Sequence, residues 1–182
     1  MKETVNGKIL WQEAGRTGLI LGGVVIIYSL LSSLTSGLGM FSGVLSFILW
    51  AGKFGGCLYL MHLFMVRLSQ HYDGVTKRTA FGYGVRIALL SALVCSAYAL
   101  IQAILSPEVI EQAFDLIQET FASYGMLDSN SIAVMEKMQQ NFPAYMFFSN
   151  MVYCFLFGVI VAKIFSSKFP QDDPFGDTDP KF

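Results

Sequence analysis

The chain has 182 residues, of which 54 % are hydrophobic and only 14 % charged, and its net charge is −1. A soluble domain carries roughly 25 % charged residues, so the composition excludes an ordinary water-soluble domain, and without a basic surplus nothing argues for a nucleic-acid partner. Cys57, Cys95 and Cys154 all fall inside apolar tracts and read as small packing residues, and two isolated histidines give no zinc or haem spacing, so neither a disulfide framework, a metal nor a cofactor is expected.

Residues 1–16 mix charges with Ile9, Leu10 and Trp11, which predicts an amphipathic segment at the cytoplasmic interface with Trp11 at headgroup depth. The first uncharged tract covers residues 17–34. It is longer than the ~7–15 residues of a signal-peptide core and no small-x-small cleavage site follows, so it reads as a retained span. A break over Thr35–Met40, with Gly37 and Gly39 as turn formers, leads into a second tract at 41–66. At a rise of ~1.5 Å per residue, that tract crosses a ~30 Å hydrocarbon core with tilt. A polar loop from Arg67 to Arg78 precedes the third tract, 84–105, where Arg86 is placed to snorkel.

Residues 106–142 are the one sizeable segment with soluble character. Ser106-Pro107-Glu108 is a helix start, with an N-cap, a proline in the first turn and an acid near the positive helix end. Ile110, Ala113, Phe114, Ile117, Phe121 and Tyr124 then fall on one arc of about 100°, with Glu108, Glu111, Asp115 and Glu119 opposite. Gly125 stops this helix. A second, short helix is expected over Ser131–Gln140, with Asn141-Phe142-Pro143 turning the chain into the fourth span, 143–165. The tail, 166–182, is acidic and proline-rich and is expected to be disordered. Loops of unequal length speak against an inverted duplication. The predicted fold is an all-α, integral membrane four-helix bundle with an extracytoplasmic amphipathic helical hairpin between spans 3 and 4.

Lysine and arginine placement sets the orientation. Ten of the twelve basic residues fall in the amino-terminal segment, the loop between spans 2 and 3 with its flanks, and the region after span 4; the 106–142 segment holds Lys137 beside six acids. Both termini and the middle loop are therefore expected in the cytoplasm, with the hairpin outside.

The twelfth basic residue, Lys53, lies near the centre of span 2. A lysine at mid-bilayer costs about 2.5–3.5 kcal/mol on insertion scales, which marks it as a candidate ligand or lipid contact. No span contains an acid to pair with it, so Tyr28, Ser32, Ser33, Tyr98, Gln102, Asn150 or an anionic headgroup would have to serve. The alternative is a shifted span from which Lys53 snorkels. His62 lies nine residues on, on the opposite helix face, so the two form no proton relay. The spans hold serines but no accompanying His/Asp pair, so no catalytic residue is assigned.

Small residues recur at four-residue spacing in every span. Gly18 and Gly22 form one ladder, and Gly52 and Gly56 a second. Gly84, Ala88, Ala92 and Ser96 line the third span; Asn150, Cys154, Gly158 and Ala162 line the fourth. Such ladders let helix backbones approach closely within lipid, either inside the bundle or against a partner subunit.

Tyr72-Asp73-Gly74, Phe81-Gly82-Tyr83-Gly84, Ser106-Pro107-Glu108, the Gly125-Met126 break and the amphipathic stretch before Pro143 occur in an order and spacing that resemble a family of small bacterial four-span membrane proteins, domain of unknown function 4199. The likeness covers most of residues 17–167. It implies a bacterial inner-membrane protein and supplies no activity and no catalytic residues. Some of these relatives are encoded near a polyprenyl-phosphate glycosyltransferase. The expected function is a non-enzymatic accessory or scaffold subunit of envelope or polyprenyl-linked glycan assembly. Its expected partners are membrane lipid and either a second copy or another membrane protein. A small carrier, or a protein binding anionic lipid through Lys53, is the alternative; an intramembrane enzyme is a remote third.

Overall fold

The computed structural model describes residues 3–35, 42–125 and 128–171. Among them, α-helices dominate: α1 (Gly7–Thr35), α2 (Ser42–His71), α3 (Lys77–Leu105), α4 (Pro107–Ser123) and α5 (Ser129–Ser166), with two-residue strands β1 (Glu3–Thr4) and β2 (Tyr72–Asp73). Four of the helices, α1, α2, α3 and α5, are long and apolar enough to cross a membrane. The predicted break at 35–40 falls almost wholly outside the described residues, as does most of the acidic tail.

The chain divides into two units, Met1–Val94 with Cys154–Phe182, and Cys95–Tyr153. The first holds all of α1 and α2, the first part of α3 and the last part of α5. Its core brings Leu10, Ala14 and Leu21 of α1 together with Met61, Phe64 and Met65 of α2, Tyr83 and Ile87 of α3, and Val161 and Ala162 of α5. Small residues set the spacing. A methyl group on Gly18 or Gly22 would come within 2.8 or 2.7 Å of Leu90 or Val94 on α3, and one on Gly84 within 2.6 Å of Ala162.

Three chain segments meet at one end of this unit. β1 pairs in parallel with β2, Glu3 opposite Tyr72 and Thr4 opposite Asp73. The Lys77 backbone N–H donates to the Pro170 carbonyl at 2.7 Å, joining the start of α3 to the residues after α5. Gly74, with φ of 77°, supplies the left-handed turn between β2 and α3.

The expected amphipathic segment and the first span are one helix. Asn6 caps it, its Oδ1 accepting the Ile9 N–H at 2.9 Å, and α1 then runs unbroken into the apolar tract. Leu10 and Ala14 are buried in the core, while Trp11 lies half exposed beneath the Arg86 guanidinium, 5.3 Å from its ring centre. Packing against α3 carries this turn of helix beyond the interfacial role that its mixed composition suggests.

In the second unit, α4 begins at Pro107 as expected, although the Ser106 hydroxyl makes no capping bond. It ends at Ser123 with Tyr124 as its C-cap, and Gly125 just beyond takes a φ of 67° that suits a residue without Cβ. Phe114, on the predicted apolar arc, is 6 % exposed and meets the Phe142 ring edge-on at 5.4 Å. The predicted turn at Asn141-Phe142-Pro143 is absent: α5 continues through Pro143 as a single helix of 38 residues. An interior proline forfeits one backbone hydrogen bond and crowds the preceding turn. The helix nevertheless persists through Pro143, with the Asn141 amide donating to the Lys137 carbonyl at 2.8 Å and Phe142 packed on Phe114 beside it. α5 begins behind Asp128, whose carboxylate accepts both the Ser131 hydroxyl and its backbone N–H; these bonds hold its pKa below the usual carboxylate value.

Candidate functional site

The polar side chains that the first unit gathers lie at the end where β1, β2 and the residues after α5 meet. Glu13, Arg16 and Thr17 lie within about one turn of each other on α1; Arg67 and His71 lie one turn apart on α2; Tyr72 is in β2 and Tyr83 in α3. All seven line one cleft of about 230 Å³, whose remaining wall is Ile20, Phe64 and Leu68.

Its floor is a hydrogen-bond chain. The Thr17 hydroxyl donates to the Glu13 carbonyl at 2.7 Å, so its contact with Tyr83 at 3.1 Å is one in which the tyrosine O–H donates. Tyr83 is 1 % exposed and is among the largest fully buried side chains of the chain. At the rim, the Tyr72 hydroxyl donates to Glu13 Oε1 at 3.5 Å, and His71 Nδ1 lies 3.1 Å from the Arg67 carbonyl. With that nitrogen as the donor, Nε2 of the ring is left to face outward. Arg16 comes from α1 and Arg67 from α2, and both side chains are exposed. Two permanent positive charges from different helices therefore border a cleft with one carboxylate in its lining. A planar guanidinium pair in this position is suited to an oxyanion such as phosphate.

Sequence reasoning did not single out this cleft, because its residues come from three separate segments and each has an ordinary surface explanation. Arg16 and Arg67 read as topology signals, and Tyr72 and Tyr83 as parts of the short motifs that carry the family resemblance. One available signal was that Arg16 and Arg67 each border an apolar tract at the same predicted membrane face.

The residues that were singled out are dispersed. Lys53 is half-buried on α2, near the Cys57 and Cys154 thiols in electrostatic range. The Tyr28 ring packs on the backbone at Gly52, where an added methyl would lie 3.7 Å from the hydroxyl. Tyr98, Gln102 and Asn150 belong to the second unit. There the Gln102 amide donates to the Tyr98 hydroxyl at 2.9 Å, and the Asn150 amide to Ser96 Oγ at 3.5 Å. Of the small-residue ladders, Gly18 and Gly22 face α3, and Gly84, Ala88, Gly158 and Ala162 lie between α3 and α5, with Ala92 and Ser96 buried. Gly56 has no neighbour that a methyl would meet within 4 Å. His62 lies 5.0 Å from the Phe165 ring, and its buried Nδ1 has no hydrogen-bond partner among the described residues.

Compared with known proteins, the chain matches no family model, no curated protein and no solved structure.

Proposed function

We propose that the chain is a non-enzymatic accessory subunit of the bacterial inner membrane that holds an anionic ligand in the Arg16–Arg67 cleft, in the service of envelope or polyprenyl-linked glycan assembly. The observation that carries the reading is the convergence of Arg16 and Arg67, with His71, on a cleft whose lining carboxylate, Glu13, already receives the Tyr72 hydroxyl. Hydrogen bonds to charged groups contribute about 1.5–3 kcal/mol each, so two arginines are enough to retain a small anion. This places the anion site at the end of the bundle, in preference to Lys53 at mid-span.

The same end carries the orientation. The amino-terminal strand, the α2–α3 connection and the residues after α5 are tied together there, and most of the lysines and arginines lie on those segments or beside them. The positive-inside rule puts that end in the cytoplasm and α4 with the start of α5 outside. The resemblance to domain of unknown function 4199 supports the bacterial inner membrane as the location.

Gentle detergent extraction followed by cross-linking and thermal melting tests both halves of the reading. A co-purifying membrane protein or a self-associated form is expected. Millimolar inorganic phosphate is expected to raise the melting temperature of the wild type and leave an Arg16→Gln/Arg67→Gln double variant unmoved. A protein that is monomeric, partnerless and blind to phosphate contradicts the proposal.

A further inference from the structure

The cleft's shape and depth say more about its ligand than its charge alone. We infer that it takes the headgroup of a lipid ending in an unsubstituted phosphate, with the lipid chain leaving across Ile20; this rests on the anion-binding reading above.

Two observations point to a lipid in preference to a soluble anion. The first is depth. Arg16 is the last charged residue before an uncharged tract on α1, and Arg67 is the first charge after the apolar end of α2. Both guanidinium groups therefore sit where hydrocarbon gives way to headgroups, the level occupied by lipid phosphates; basic pockets between spans on the cytoplasmic side are a recurrent form of headgroup site. The second is the asymmetry of the wall. One helical turn further into the bilayer than Arg16 stands Ile20, which lines the cleft and is itself exposed, and Phe64 lies correspondingly one turn inward of Leu68 on α2. A soluble anion has no use for this apolar flank. An acyl or prenyl chain running along α1 beside Ile20 stays in hydrocarbon while its phosphate reaches the two arginines, so one molecule suits both walls.

Size selects the headgroup. Pockets that enclose a whole small molecule measure roughly 300–1,000 Å³, and this cleft has about 230 Å³. A phosphate with its first bridging oxygen is small enough for that volume, and a glycerol or a second lipid on the phosphate adds bulk that the cleft has less room to take. A monoester phosphate also carries close to two negative charges at neutral pH, where a diester carries one. That extra charge strengthens each charge-assisted bond from the two arginines, and Tyr72 already engages the Glu13 carboxylate.

Thermal melting of the full chain in neutral detergent, titrated separately with dioleoyl phosphatidic acid, dioleoyl phosphatidylglycerol and inorganic phosphate, tests this. The phosphatidic acid is expected to act at concentrations at least about 10-fold below either of the others. Arg67→Gln is expected to weaken it roughly 10-fold or more, Arg67→Lys by less, through loss of a charge-assisted bond. Ile20→Asn is expected to weaken the lipid several-fold while leaving inorganic phosphate unchanged. Because Ile20 and Arg67 are exposed, the unliganded melting temperature of these variants should stay close to that of the wild type, which separates loss of binding from loss of fold. If inorganic phosphate acts as strongly as the lipid, or Ile20→Asn is silent, the lipid inference is overturned and the anion site stands. Equal action by phosphatidylglycerol overturns the unsubstituted headgroup. No response to any of the three overturns both the inference and the reading beneath it.

Discussion

Leucine in place of Gly84 or Gly158 is expected to unfold the membrane bundle, whereas leucine in place of Gly23 or Gly55 is expected to leave it intact. The four glycines lie inside apolar helices and look alike in the sequence. A methyl on Gly84 would sit 2.6 Å from the Ala162 Cβ, and one on Gly158 would sit 2.5 Å from the Ala88 Cβ, so α3 and α5 touch almost backbone to backbone at both positions. Inserting even a methylene or two into a packed interior costs about 1–3 kcal/mol, and a leucine adds a complete side chain where neither helix can yield without moving the other. A loss of about 3 kcal/mol or more corresponds to a fall of roughly 10 °C in melting temperature for a chain of this size. Gly23 and Gly55 have nothing within 4 Å of the same methyl, and removing a helical glycine gains up to ~1 kcal/mol in propensity. Melting of the four variants in one detergent checks the contrast. The coupled pair is sharper still: Gly158→Ala should be rescued in large part by Ala88→Gly, because the exchange moves one methyl across the interface and preserves its total volume.

Tyr83→Ala is expected to be nearly as damaging, and Tyr83→Phe mild. Tyr83 is 1 % exposed and packed among Met65, Ile87 and Ala162 in the core. Truncating a buried aromatic leaves a cavity its neighbours fill only in part, at a cost of about 3–5 kcal/mol. Removing the hydroxyl alone breaks the 3.1 Å bond to Thr17, but the Thr17 hydroxyl keeps its donation to the Glu13 carbonyl at 2.7 Å. No buried donor is stranded, so a loss of about 0.5–1.5 kcal/mol is expected. A phenylalanine variant that melts as low as the alanine variant would show that the hydroxyl, and not the ring, holds the floor of the cleft.

These two cases also show how much could be read in the sequence. The four apolar helices were legible because lipid demands about 20 apolar residues in a row, a signal with little competition from soluble structure. The ends were less legible. Asn6 and the burial of Leu10 and Ala14 make the amino-terminal turn part of α1, but a segment carrying Lys8, Glu13 and Arg16 gives no hint that one of its faces will be covered by α3. Pro143 was misleading for a related reason. Locally it is a stop signal, yet α5 runs through it, with Phe142 packed on Phe114 just ahead of the proline. Glycines at four-residue spacing announced close helix contacts without saying which would be used: Gly84 and Gly158 are in contact, Gly56 is open. The cleft was hardest to anticipate, since Glu13 meets Tyr72 across a sequence separation of 59 residues. No periodicity within one helix encodes that meeting; it follows from β1 pairing with β2 and from α1 packing on α3.

Four helices dissolved in lipid, with the arginine-lined end in the cytosol, are the premise on which the reading of the cleft and its ligand depends. Single cysteines introduced as Lys8→Cys, Arg78→Cys, Glu119→Cys and Lys168→Cys, in a chain whose Cys57, Cys95 and Cys154 are replaced by alanine, can be probed with a membrane-impermeant maleimide. In intact spheroplasts only the Glu119→Cys protein should be modified, and in inverted vesicles only the other three. Reaction of Glu119→Cys from the same side as Lys8→Cys, Arg78→Cys and Lys168→Cys would contradict the account.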